Sequence, residues 1–222
     1  MNDLADYANQ LLAGALVTIE LALTSLLFGL LLGLAAAWAK LSPSLWLRHP
    51  VTLLSNVLRG IPEFLIILIF YFGIANFLSD HFDGAIEVSP FFGGVFALSI
   101  IFAAYSSEVF RGAFLEVGRG QLEAGQAYGL NRFQLFCFIR LPLAWRTALP
   151  SLNNMWQSLL KDTSLISVVG LEDMLRKAQI GAQYTKQPFV FYAAVALVYL
   201  LLLAASNPLF GALEKSANKG FR

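Results

Sequence analysis

The chain has one cysteine, Cys137, and two histidines, His49 and His81, in 222 residues. A lone thiol excludes an internal disulfide and a multi-cysteine metal centre, and the histidines are too far apart in sequence for ligand spacing. There is no catalytic triad and no glycine-rich loop closing on Gly-Lys-Ser/Thr, so ATP hydrolysis is not expected in this chain. Charge is scarce: 13% of residues are Asp, Glu, Lys or Arg, against about 25% in soluble domains. The net charge of +1 gives no basis for nucleic-acid binding. The residues ahead of the first apolar run include Asp3 and Asp6 but no Lys or Arg, and the run is too long for a signal-peptide core. It reads as a retained membrane span.

What the chain has in excess is apolar surface. Hydrophobic residues make up 58% of it, against roughly 45–50% in ordinary domains. A membrane helix needs about 20 predominantly apolar residues. Residues 11–39, 57–78, 91–110 and 188–210 meet that length. A fifth segment, 148–171, is more polar, with Asn153, Asn154, Gln157, Ser158, Lys161, Asp162, Thr163 and Ser164. Such residues are costly against lipid, so this span is expected inside a bundle or along a water-filled path.

Basic residues set the orientation. None precedes the first span. Lys40, Arg48 and Arg59 follow it, whereas the second loop, 79–90, has only Asp80, Asp83 and Glu87 as charged residues. Arg111, Arg119, Arg132, Arg140 and Arg146 mark the third loop, and Lys215, Lys219 and Arg222 the tail. The expectation is an all-α membrane protein of five transmembrane helices in one domain, 1–222. The amino terminus is outside, the carboxyl terminus cytoplasmic, and the loop at about 118–145 cytoplasmic. The fourth loop departs from the pattern with Arg176, Lys177 and Lys186, and residues 172–187 are expected to form a short helix on the outer face.

The third loop is the most informative stretch. Gln121, Glu123, Ala124 and Tyr128 recur at helix spacing, Gly129 is placed to end that helix with positive φ, and Asn131 can cap the next, which begins at Arg132. Ala124 and Gly125 permit close backbone approach, and Glu123 can pair locally with Arg119 or with an arginine of a partner. Glu123, Ala124, Gly129, Ile139, Leu141 and Pro142 resemble, in register, the cytoplasmic Glu-Ala-Ala signature of bacterial ABC-importer permeases. Gly125 departs from it, standing where the pattern has a second Ala. Arg59-Gly60-Ile61-Pro62, Ala104-Tyr105, Glu108, Phe110-Arg111-Gly112-Ala113 and Lys161-Asp162-Thr163-Ser164-Leu165 are similar to further elements of the polar amino-acid permeases, especially those serving histidine, arginine, lysine and ornithine.

The resemblance implies a translocation subunit in a bacterial inner membrane. It implies two ATPase subunits as partners, a second permease subunit, identical or related, and an external solute-binding protein. ATP and magnesium would sit on the ATPases, with no cofactor in this chain. Gln121, Glu123, Ala124, Gly125, Tyr128, Gly129, Asn131 and Arg132 would couple to the ATPase.

Charges inside the spans need a reason, since each costs about 2.5–3.5 kcal/mol at mid-bilayer on insertion scales. Glu63 is expected near the middle of span two, after Pro62, which leaves the carbonyl of Leu58 without its helical donor. That pair would receive an ammonium or guanidinium group. An ion pair with Arg59, four residues earlier, is the competing structural role. Glu20 shares a polar stripe with Thr18, Thr24 and Ser25. Asn154, Asp162 and Ser164 are further pathway candidates. Arg59, Pro62, Glu108, Arg111 and Lys161 read as structural or gating residues, with Glu108 paired to Arg111 three residues on. Lys161 and Asp162 face different ways on a helix and are expected to pair with other helices. A glutamine or glutamate permease is the nearest alternative. An ion-coupled secondary transporter leaves the third loop unexplained and lacks a visible inverted repeat.

Overall fold

The computed structural model describes residues 6–81 and 89–219, and all regular structure among them is helical. In chain order the elements are α1 (Ala8–Leu41), α2 (Leu45–Gly60), α3 (Glu63–His81), α4 (Pro90–Glu116), α5 (Arg119–Ala127) and α6 (Arg132–Leu135). A π-helical turn, Phe136–Arg140, leads into α7 (Leu141–Asp162). A 3-10 stretch, Thr163–Val169, then precedes α8 (Met174–Thr185) and α9 (Pro188–Ala217). Among the described residues three helices, α1, α4 and α9, are long and apolar enough to cross a membrane, or four if α2 and α3 count as one bent span. Asp3, Asp83, Glu87 and Arg222, used above for orientation, lie outside the described residues.

The stretches 11–39, 91–110 and 188–210 fall within α1, α4 and α9. The stretch 57–78 is not one helix. The chain bends by 110° between α2 and the first part of α3. Pro62 has no N–H to continue α2 and forces its predecessor out of helical geometry; Ile61 is accordingly extended at φ −100°, ψ 137°. The stretch 148–171 is also composite, because α7 ends at Asp162, tightens into the 3-10 turn and stops at Gly170 with φ 96°. The helix foreseen within 172–187 is α8.

α1 is apolar on all sides but sorts its residues by size. Thr18, Ala22, Ser25, Gly29, Gly33, Ala37 and Lys40 form a buried stripe, while Leu12, Leu16, Leu23, Leu27, Leu31 and Trp38 are exposed. Small residues let two backbones approach, the usual device where lipid removes the hydrophobic drive between helices. α4 packs along this stripe. A Cβ on Gly29 would lie 2.8 Å from Phe102 Cδ1, and one on Gly33 2.0 Å from Ser106 Oγ. Gly33→Leu is therefore expected to insert into the membrane normally yet yield little folded complex; a monodisperse size-exclusion peak at wild-type yield would contradict this packing.

The main core lies where α1, α3, α4, α7 and the 3-10 stretch meet, around Leu21, Ile67, Leu98, Trp156, Leu160 and Ile166. A second cluster joins α8 and α9 to the start of α1 through Met174, Ala178, Phe191 and Val195. There Asp173 caps α8, its Oδ1 accepting from the backbone N–H of Arg176 at 2.9 Å. Its other oxygen is buried and has no hydrogen-bond partner among the described residues. Burial pushes its carboxyl up from the ordinary 3.8 to about 6, against backbone N–H groups that favour the charged form. The folded protein thus holds this proton more tightly than the unfolded chain, and the stability gained below about pH 4 is lost as pH rises through about 6. Asp173→Asn keeps a good cap and is expected to flatten that loss and raise the thermal midpoint at neutral pH. An unchanged slope in pH-resolved melting would contradict the assignment.

Candidate functional site

α3, α4 and α7 line a cavity of about 290 Å³ that is open at Asn154 and Ser158, both exposed. Asn154, Ser158 and Asp162 follow at four-residue intervals and so line it from one face of α7. Tyr105 enters from α4, and Glu63 from the first turn of α3. Leu98, Ile101, Phe102, Met155 and Leu159 supply the apolar wall. The lining thus has two carboxylates and no cation. Tyr105 donates its hydroxyl to Glu63 Oε1 at 3.0 Å, which fixes that carboxylate while leaving its other oxygen for a ligand.

Two expectations about Glu63 are corrected. It starts α3 rather than standing in mid-span, and the carbonyl of Leu58 belongs to the last turn of α2, not to a kinked continuous helix. Nor does Glu63 pair with Arg59, because the 110° bend removes the shared face that their spacing assumed. Arg59 instead lies over the Tyr105 ring, 5.8 Å from its centroid, and 3.9 Å from Glu108.

Of the other pathway candidates, Asn154 and Asp162 reach the cavity and Ser164 and Glu20 do not. Ser164 turns its hydroxyl back to the carbonyl of Lys161 at 2.7 Å. Glu20 is exposed, whereas Thr18 and Ser25 are buried on the opposite, small-residue side, so the supposed polar stripe is two separate faces. Lys161 and Asp162 do point apart, but neither makes an ion pair with another helix among the described residues. Tyr105 and Ser158 were not singled out as site residues; the Asn154–Ser158–Asp162 spacing was the available signal for the serine.

Below the cavity Glu108 gathers cations. The expected pair with Arg111 is present, with Arg111 Nη2 at 2.8 Å from Oε2 and Nε donating to the same oxygen at 2.9 Å. The unforeseen partner is Lys40, which is buried and donates to Glu108 Oε1 at 2.8 Å and to Ser107 Oγ at 2.7 Å. Lys40 ends the stripe of α1 that faces α4, so this pair locks the end of one helix to the other.

The third loop is a short helix, a glycine stop and a second helix. α5 ends in paired bonds, Gly129 N–H to Gln126 O at 2.9 Å and Leu130 N–H to Gly125 O at 3.1 Å. Gly129 takes φ 81°, as this ending requires. Asn131 caps α6, accepting from Gln134 N–H while the Gln134 side chain accepts from Asn131 N–H, both at 2.9 Å. Gln121, Glu123, Ala124 and Arg132 are exposed. Glu123 has no ion pair, with Arg119 or otherwise, among the described residues. Tyr128 is 89% and Phe133 75% exposed, the latter an aromatic not foreseen at this surface. Gly125 is corrected: it is buried against its own chain, where a Cβ would lie 2.6 Å from Leu135 Cδ2 and 2.5 Å from Ile139 Cδ1. The glycine lets α5 lie close on the π turn, so Ala124 alone of the small pair faces outward.

Comparison with known proteins gives a family model described as "Binding-protein-dependent transport system inner membrane component", which matches residues 29–219. The chain is 43% identical to the nopaline transport system permease protein of Agrobacterium fabrum, over 98% of this chain and 95% of that protein. It is 36% identical to the histidine/lysine/arginine/ornithine transport system permease protein of Salmonella typhimurium, over 97% and 96%. Among solved structures, a chain of an amino acid ABC transporter crystallised with histidines is similar at TM-score 0.84 and 27% identity, with 96% of each chain covered.

Proposed function

The chain belongs to the family of binding-protein-dependent transport system inner membrane components, and on that premise we propose that it is the permease subunit of an ATP-driven importer that carries a basic amino acid across a bacterial inner membrane. One observation carries the substrate class: the cavity is lined by Glu63 and Asp162, neither of which is in an ion pair among the described residues. A ligand with a guanidinium or ammonium group supplies the missing charge, and a hydrogen bond to an ionised partner is worth about 1.5–3 kcal/mol. Asn154 and Ser158 offer neutral polar groups for the rest of the molecule. The named substrates of the relatives, nopaline and histidine, lysine, arginine or ornithine, support this reading.

In this reading the chain crosses the membrane five times, α3 forming the second crossing, after α2 at the bilayer surface, and α7 with the 3-10 stretch the fourth. Its amino terminus is outside and its carboxyl terminus in the cytoplasm. The single domain works beside a second permease subunit, two ATPases holding ATP and magnesium, and an external solute-binding protein. Hydrolysis belongs to the ATPases. This chain's part is to receive their motion at α5, through Gln121, Glu123, Ala124, Tyr128 and Arg132. Gly129 and Asn131 keep the two short helices at a fixed angle, so a push on α5 reaches α7 through the π turn. Arg59, Pro62, Glu108, Arg111 and Lys161 hold or gate the bundle around the cavity.

Reconstitution of the co-purifying complex into liposomes with its binding protein tests the energy source. Arginine uptake is expected only with ATP on the ATPase side. Uptake driven by an ion gradient without ATP would replace the importer by a secondary transporter.

A further inference from the structure

Two cavities adjoin at the elbow between α1 and α2, and the transport reading places no ligand in either. One, of about 590 Å³, is lined by Lys40, Arg48, His49, Arg59, Arg111 and Glu108, among others. Four fixed cations thus face one carboxylate, which Lys40 and Arg111 already hold at 2.8 Å each. The side chain of Arg48 has no ion pair among the described residues. The other cavity, of about 920 Å³, is walled by Leu34, Trp38, Leu47, Phe114 and Phe136. Leu41 and Leu115 line both, so the basic space adjoins the apolar one.

α2 sorts its faces to match. Arg48, Thr52, Asn56 and Arg59 recur at intervals of four, four and three and line the basic cavity. Trp46, Leu53, Leu54 and Val57 are exposed on other sides of the helix. A helix with one basic and one exposed apolar face is built to lie at a bilayer surface. A water-soluble partner would meet the charges but leave the leucines and tryptophan in water. Basic pockets among membrane helices accept lipid head groups, and an adjoining apolar groove is what a free phosphate does not need.

We propose that this elbow binds an anionic phospholipid, its phosphate among Arg48, Arg59 and Arg111 and an acyl chain along Leu34, Trp38 and Leu47. The inference goes beyond the transport reading and depends only on the chain lying in a bilayer. The lipid would brace the elbow that leads through α2 to Glu63.

The test is lipid retention by the intact co-purified complex in nanodiscs of phosphatidylcholine with a minor share of phosphatidylglycerol, counted by native mass spectrometry. Phosphatidylglycerol is expected to be retained in excess of its bulk share. Arg48→Gln is expected to lower that excess about fivefold, the share of one basic side chain near an anionic lipid surface. Lys215→Gln, near the end of α9 and outside both cavities, is expected to leave it unchanged. Equal retention of the two lipids, or retention indifferent to Arg48→Gln, would overturn the proposal. So would displacement of the lipid by inorganic phosphate, which would assign the cavity to a free anion. Loss of a protein subunit in place of lipid on Arg48→Gln would make the elbow a protein contact. Because the count needs no transport, failure here and failure of the importer reading are separate results.

Discussion

Asp162→Asn or Glu63→Gln lowers arginine uptake about tenfold to hundredfold below saturation, each exchange removing a charged hydrogen-bond partner worth about 1.5–3 kcal/mol, and the two together abolish uptake. Assembly is expected to survive. Neither carboxylate is in an ion pair among the described residues, and both line one cavity, where like charges repel. Neutralising either leaves no orphaned cation behind and relieves that repulsion, so the complex should be as stable as wild type or more so. Tyr105→Phe removes the hydroxyl that orients Glu63 and is expected to cost about tenfold, the lower end for one hydrogen bond to a charged group, since the carboxylate itself remains. The check is uptake per mole of complex recovered by size exclusion. If uptake and recovered complex fall in parallel, Glu63 and Asp162 are structural groups.

The second large effect belongs to α5. Glu123→Lys is expected to abolish ATP-driven uptake while leaving the chain's insertion and folding intact. Glu123 is exposed and without an ion pair among the described residues. A substitution at such a surface position changes stability by only about 0.5 kcal/mol. Lost transport in a folded subunit therefore reports a contact that the isolated chain does not contain. If α5 receives the ATPases' motion as proposed, reversing the charge there disrupts that contact, so ATPase co-purification should fall too, and more than for Glu123→Gln. Wild-type uptake by Glu123→Lys would remove α5 from the coupling path.

How much of this was readable from sequence depends on the range of the interaction. The third loop was readable because its rules are local: Gly129 stops a helix by its own φ and Asn131 caps the next within three residues. The polar residues of α7 pointed to a bundle interior or a water-filled path, and Asn154 and Asp162 do reach the cavity. Glu20 does not reach the cavity because α1 buries small residues and leaves Glu20 on its other side, so polarity was no sign of burial there. The Gly29–Gly33 spacing was the better signal. The Arg59–Glu63 pairing failed because helix spacing was carried across Pro62, where the chain turns through 110°. Lys40 and Glu108 stand 68 residues apart, and no local rule joins them; only the packing of α1 along α4 does.

The most direct measurement of the central claim is a substrate panel. The co-purified complex in liposomes, with its binding protein and ATP, is offered arginine, lysine, histidine, glutamine and glutamate. Uptake confined to the cationic amino acids, and lost in the Glu63→Gln, Asp162→Asn double variant, is the predicted result. Uptake of glutamine or glutamate that survives the double variant would contradict the assignment of this cavity to a basic substrate.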